Sequence, residues 1–351
     1  MYNLPCGTCI KDYPRDMGII RTKGHLLLSV LGCIAFIIFP HLVSSHIHTI
    51  ANIIGVWIVA ACGLNLLIGL CGQISIGHAA FMGVGAYTSA LLGNHLSFPF
   101  WLSWPAGMLA AGLVGVIFGL PAVRVKGFYL ALTTLAAQII LGWIYTNWRD
   151  MTGGSEGIGV PTAQFGGFSF DSEISWYYVI GISAILATIS FKNFSRSRLG
   201  RALVAIRDND LAAEGMGVNL FRYKALAFFI GCLYAGAAGG LWAHYTTHIA
   251  PAHFELKESI WFLGMLIVGG LGSTLGPVFG VPFILILKEV VVWLGPVLML
   301  YMPFLGMGIW ASFSLIVFAV VLIIFLIFEP RGIAHRWEIF KNYYRTWPFA
   351  Y

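Results

Sequence analysis

The chain has 351 residues, 59% of them hydrophobic and only 10% charged, with a formal net charge of +6. A soluble surface needs roughly 25–35% Lys, Arg, Asp and Glu, so this composition excludes a soluble globular enzyme, a disordered chain and a nucleic-acid module. What it leaves is an all-α integral membrane protein, and the meaning of the positive balance then depends on where the charges fall.

Ten apolar runs approach the about 20 residues that a membrane helix needs: 26–43, 50–71, 74–94, 104–122, 127–147, 174–191, 224–246, 259–271, 277–294 and 309–328. They are continuous rather than alternating, which predicts helices and not barrel strands. Run 259–271 reaches only ~20 Å at 1.5 Å per residue, so it is expected to be a half-helix or to continue through 272–276. No A-x-A-like cleavage site follows the first run, which is therefore read as a retained span and not a signal peptide.

Lys and Arg set the orientation. With ten spans and the N-terminus inside, every one of the 20 basic residues falls in a cytoplasmic segment except Arg149, Lys257 and Lys288. The expected layout is N-in/C-in: a cytoplasmic segment 1–25, a transmembrane domain 26–328 with a cytoplasmic loop 192–223, and a cytoplasmic tail 329–351. The opposite loops are acidic, with Asp150, Glu156, Asp171, Glu173, Glu255 and Glu258. Five spans precede the loop 148–173 and five follow it, so the second half is inverted relative to the first. This is the arrangement of transporters built as a 5+5 inverted repeat, although the halves share no clear sequence identity.

Several enzyme signatures are missing. There is no Gly-Lys pair, hence no G-x-x-x-x-G-K-[ST] phosphate loop, and no H-E-x-x-H. Gly153-Gly154-Ser155-Glu156-Gly157 fits G-x-S-x-G but lies in an aqueous loop, not on a strand–turn–helix elbow. Cys6 and Cys9 form a lone C-x-x-C, read as reduced thiols. His46-x-His48 and His244-x3-His248 have metal-ligand spacings without an acid or thiol to complete them, so no metal is expected.

The densest segment runs from Gly63 to Tyr87. Asn65, Gln73, Ser75 and His78 stand there among apolar residues and closely spaced glycines. An unsatisfied polar group in lipid costs several kcal/mol, so these side chains face other helices or a wet cavity, and Gly72 and Gly77 bracket an expected helix break. They are candidates for the substrate pathway; the plainer reading is interhelical hydrogen bonding. Span 224–246 carries Gly231, Ala235, Gly236, Gly239 and Gly240, whose small-x-x-x-small pairs permit close helix packing. Lys288 and Glu289 fall inside a span, where a central charge costs about 2.5–3.5 kcal/mol. Neighbours in sequence point ~100° apart on a helix, so they need separate partners unless Lys288 snorkels.

The stretch GLNLLIGLCGQISIGHAAFMGVGAYTSALL, starting at Gly63, resembles LivM-type permeases, the membrane subunits of bacterial ABC importers for branched-chain amino acids. MTGGSEGI from Met151, SRLGRALVAIRDNDLAAEGMGVNLFRYKALAF from Ser197, GGLGSTLGPVFG from Gly269 and FEPRG from Phe328 follow in the family's order. The first 25 residues and the tail after Gly332 do not match. The resemblance implies a permease of the bacterial inner membrane that translocates branched-chain or related amino acids by alternating access. It implies a second permease subunit, two cytoplasmic ATPase subunits that use ATP and Mg, and a periplasmic solute-binding protein as partners, with no cofactor in this chain. It also makes 196–220 the ATPase-coupling loop, with polar contacts from Arg207, Asp208, Asp210 and Glu214, apolar anchors Leu211 and Met216, and a helix starting at Asp208 or Asp210 and stopping at Gly215 and Gly217. Two alternatives stay open: an ion-coupled secondary carrier using Lys288, Glu289 and His78, and a related permease for urea, amides or metal.

Overall fold

The structure is a computed structural model describing residues 23–123, 128–165, 168–170, 172–301 and 307–346. Cys6, Cys9 and the basic residues Lys11, Arg15, Arg21, Arg124 and Lys126 lie outside the described residues.

The described chain is almost entirely helical: α1 (Lys23–Leu42), α2 (Ser45–Asn65), α3 (His78–Leu96), α4 (Phe100–Val123), α5 (Phe128–Asn147), α6 (Glu173–Arg196), α7 (Arg198–Asp208), α8 (Asp210–Gly215), α9 (Leu220–Thr246), α10 (Leu256–Gly269), α11 (Gly276–Tyr301), α12 (Met307–Phe328) and α13 (Gly332–Thr346). The larger part of each expected apolar run lies on one of these helices, but run 74–94 starts inside the break before His78 and run 259–271 ends past Gly269. Among the described residues, six stretches are long and apolar enough to cross a membrane: Ser45–Leu70, Phe100–Pro121, Tyr129–Asn147, Glu173–Arg196, Leu220–Thr246 and Gly276–Trp293. Leu315–Phe328 and Gly332–Tyr343, bent by 44° at their junction, make a seventh if counted as one span. α10 is too short for a complete span, at 14 residues.

The outer surface marks a membrane protein directly. Leu109, Leu113 and Ile117 of α4, Ile182, Leu186 and Ile189 of α6, and Ile316, Ile323 and Ile327 of α12 are all exposed. Repeats of three and four residues put each set on one helix face. Apolar stripes of this kind are tolerated where the neighbouring solvent is lipid. α9 occupies the interior, packed against α4, α3 and α2. The glycines make this possible: a Cβ at Gly239 would meet the Met82 and Ala86 backbone of α3, one at Gly236 would meet Ala111 and the Gly107 carbonyl of α4, one at Gly240 would meet Trp104, and one at Gly231 would meet Leu67. Ala235 is fully buried.

The connections gather at two ends. At one end, here the basic end, residues 66–73, Arg207, 270–276 and 331–334 converge. At the other, the acidic end, Ile158–Gly159 pairs antiparallel with His248–Ile249, and Glu173 accepts from Thr49 Oγ1 (3.1 Å) and Tyr245 OH (3.3 Å).

Candidate translocation pathway and coupling surface

α2 does not continue into α3. Its last turn widens into a π-helix, Leu66–Leu70, and Gly72 turns the chain at φ 71°, a conformation that glycine adopts without a Cβ penalty. A matching interruption separates α10 from α11, with Gly270 at φ 111° and Gly272 at φ 76°. The two interruptions meet. Asn65 Nδ2 donates to the Ser273 carbonyl (2.8 Å), and Asn65 Oδ1 accepts from the Gly272 N–H (2.8 Å). Gly69 presses against Gly272 so closely that a Cβ on Gly69 would collide with its backbone. Asn65 is thus a buried clamp between two backbone segments.

The freed N–H groups at the start of α3 are satisfied by other helices. Gly77 offers no side-chain cap, and the first N–H groups of any helix lack internal partners. Thr134 Oγ1 of α5 accepts from Ile76 N (3.0 Å), Gln138 Oε1 accepts from Ala80 N (3.1 Å), and Ser259 Oγ of α10 accepts from Ala79 N (2.9 Å). Gln138 also accepts from the Ser259 hydroxyl (3.0 Å) and donates to the Phe254 carbonyl (2.7 Å). The sequence reading missed Thr134, Gln138 and Ser259. The available signal was a lone amide, Gln138, inside an otherwise apolar run.

His78 is fully buried, and its Nε2 donates to the Ala60 carbonyl at 2.9 Å while Nδ1 has no partner within the protein. Its ring stands edge-on to Phe262 at 6.2 Å. Ser75 is fully buried without a hydrogen-bond partner for its hydroxyl. Gln73 opens on a polar cavity of about 360 Å³ at the basic end, shared with Arg207, Asp208, Asp210 and Lys224. The four expected pathway residues are therefore separated: Asn65 in the seam, Gln73 at the basic-end cavity, and Ser75 and His78 in the packed interior.

The loop after α6 is built from capped helices. Ser197 Oγ accepts from Gly200 N (3.2 Å) to start α7, and Asn209 Oδ1 accepts from Ala212 N (3.1 Å) to start α8. The cap of α8 is thus Asn209 and neither Asp208 nor Asp210, because Asn209 is the residue holding extended backbone there, as an N-cap requires. Asp210 instead faces Lys224, 3.9 Å away. Arg207 donates through Nε and Nη2 to Asp208 Oδ1 (3.0 and 2.9 Å) and through Nη1 to the Gly69 carbonyl (2.7 Å). α8 then projects from the bundle, with Leu211 70% and Met216 88% exposed, and with Glu214 and Gly215 also exposed. Gly217, at φ 86°, ends it.

A second cavity, of about 220 Å³, lies toward the acidic end between α2, α3, α9, α10 and α11. Trp57, Met82 and Phe262 are among its apolar walls, and Trp242, Glu258, Lys288 and Glu289 supply polar groups. Trp57 and Phe262 touch at 4.9 Å between ring centres. Lys288 and Glu289 thus share one cavity without pairing: Lys288 Nζ lies 5.7 Å from the Trp261 ring centre, and Glu289 faces His46 at 3.9 Å. His253, on the rim, is held below the usual imidazole range by burial and by the neighbouring His248, so it is neutral at pH 7. His244 donates from Nδ1 to the Pro161 carbonyl and accepts from Ser89 at Nε2, and among the described residues no three His, Cys, Asp or Glu side chains group as a metal site would need.

Lipid-facing stripes, interrupted helices whose broken ends meet, and cavities with charged groups at both ends of α2 define the class: an α-helical, multi-pass membrane transport protein. Residues 46–326 match the family described as branched-chain amino acid transport system / permease component, and the chain belongs to it. It is similar to the high-affinity branched-chain amino acid transport system permease protein LivM of Escherichia coli, with 28% identity over 91% of this chain and 76% of the relative. It is also similar to LivH of Salmonella typhimurium, with 27% identity over 63% of this chain and 76% of the relative. The ribose import permease protein RbsC of Haemophilus influenzae is 23% identical over 75% of this chain and 82% of the relative. No solved structure matches.

Proposed function

We propose that this permease works as one subunit of an ATP-driven importer of branched-chain or related amino acids in the bacterial inner membrane. Its partners in this reading are a second permease, two cytoplasmic ATPases that use ATP and Mg, and a periplasmic solute-binding protein. The chain itself moves solute by alternating access and hydrolyses nothing. The basic end is cytoplasmic and the acidic end periplasmic, with ten passes, α10 among them as a half-helix, N-in and C-in, arranged as five plus five in opposite sense. The support is that, among the described residues, the connections 66–73, 270–276 and 331–334 meet Arg207 at one end and the acidic connections meet at the other.

The observation that carries the reading is α8. It exposes two large apolar side chains, Leu211 and Met216, while Arg207 just before it grips the carbonyl of Gly69 in the seam. A partner seated on α8 would pull on α7 and so on the break between α2 and α3. A ligand shifts an equilibrium only through different contacts with its two states, and this linkage supplies such a difference.

The experiment is leucine uptake in proteoliposomes that hold the whole assembly. Glu214→Arg or Gly215→Arg should abolish uptake with membrane insertion unchanged; ordinary uptake in these variants would remove the coupling assignment. Uptake by the permease alone, driven only by an ion gradient, would favour a secondary carrier instead.

A further inference from the structure

Two residues that line the acidic-end cavity each carry a buried polar atom with no partner within the protein: the Trp242 Nε1–H donor and the Glu258 Oε2 acceptor. Leaving such groups unmet costs about 1–3 kcal/mol each. The same wall carries Lys288, an ammonium with three donors and no acceptor capacity, within electrostatic reach of Glu258. Glu289, the other carboxylate of the wall, has the exposed His46 ring 3.9 Å away. The two groups stand at equal height. Lys288 is about 18 Å up α11 from Gly276, and Glu258 is about 17 Å up α10 from Gly269, at 1.5 Å per residue. Below them lies an aromatic and thioether floor of Trp57, Met82 and Phe262.

We propose that this cavity is the permease's own solute site and that it takes a single free amino acid as its zwitterion. It rests on the importer reading above, which makes the acidic end periplasmic. The α-carboxylate accepts from Lys288 Nζ and Trp242 Nε1–H, the α-ammonium donates to Glu258, and an aliphatic side chain lies on the floor. With a small movement of the two side chains that carry the orphaned atoms, one occupant supplies partners to both, and its opposite charges answer Lys288 and Glu258 in a wall that also holds Glu289. An uncharged sugar or amide would offer Lys288 and Glu258 no charge beyond the one each already feels from the other. The site stands above His78, which is edge-on to Phe262, and α2 leads from it past Ala60 to the Asn65 clamp. A solute released downward therefore meets the seam that Arg207 touches.

The test is equilibrium dialysis of radiolabelled ligands against the full chain purified with its permease partner, alongside leucine uptake by the reconstituted assembly. The ligands are L-leucine, 3-methylbutylamine, which keeps the ammonium and has no carboxyl group, and 4-methylpentanoate, which lacks the ammonium. Lys288→Met and Trp242→Phe should each weaken leucine about 10- to 100-fold, the value of a hydrogen bond to a charged group, and should not weaken 3-methylbutylamine. Glu258→Gln should weaken leucine by a similar factor and should not weaken 4-methylpentanoate. A misfolded variant would lose all three ligands, so this split separates recognition from structure. Equal leucine retention by all variants, an equal loss of all three ligands in a variant that still assembles with its permease partner, or no retention by a wild type that still transports would overturn the cavity and leave the importer reading standing. A wild-type assembly that takes up no leucine would overturn the importer reading and this site with it.

Discussion

The seam at the basic end and the cavity at the acidic end place polar groups in the same apolar bundle by opposite rules. At the seam, the Asn65 amide spends both its carbonyl and its NH2 on backbone of residues 272 and 273, and Arg207 closes on Gly69. At the cavity, Trp242 Nε1 and Glu258 Oε2 stay without protein partners. Saturated groups lock segments together, because removing one strands its partners. Unsaturated groups add little to the fold. The contrast separates polar groups that the fold consumes from polar groups that it leaves over, without reference to any relative.

Four substitutions break or sharpen this contrast. Asn65→Leu should cost the most, roughly 2–4 kcal/mol, by stranding the Gly272 N–H and the Ser273 carbonyl. Thermal unfolding of the detergent-purified chain measures it, and an unchanged midpoint would end the clamp assignment. Arg207→Gln should be milder in stability, about 1–2 kcal/mol, but should lower the number of leucine molecules imported per ATP hydrolysed. A wild-type ratio in that variant would disconnect α8 from the seam. Gly72→Ala places a Cβ at φ 71° and should cost about 1 kcal/mol of backbone strain, readable as a modest drop in the same midpoint. Trp242→Phe, which deletes a donor that bonds to nothing in the protein, should lower stability by no more than about 0.5 kcal/mol. A larger loss would mean that the indole N–H has a structural partner after all.

Much of the organisation was legible in the sequence. The larger part of each apolar run lies on a helix because a backbone in lipid has to satisfy its own hydrogen bonds, and run length and composition are local properties. Gly72 as a break and the small-residue stripe of α9 were readable for the same reason, since a missing Cβ is visible in one letter. Thr134 and Ser259 were invisible. Each is an ordinary hydroxyl in its own segment and gains a role only because α5 and α10 arrive beside the bare N-terminus of α3. Asn65 was read as a pathway candidate from its polarity, yet its partners lie more than 200 residues away, at 272 and 273. Asn209 was overlooked because Asp208 and Asp210 cap helices equally well in isolation, and only the extended backbone at 209 decides among them.

The amino-acid sequence alone determined that this chain lives in a bilayer, where its helices run, and which loops carry positive charge, because hydropathy and charge act residue by residue against the solvent. The tertiary structure decided which polar groups are consumed by the fold and which are left over. That partition depends on distances between helices far apart in the chain, and in a low-dielectric interior a hydrogen bond made or missed changes a side chain from a strut into a site.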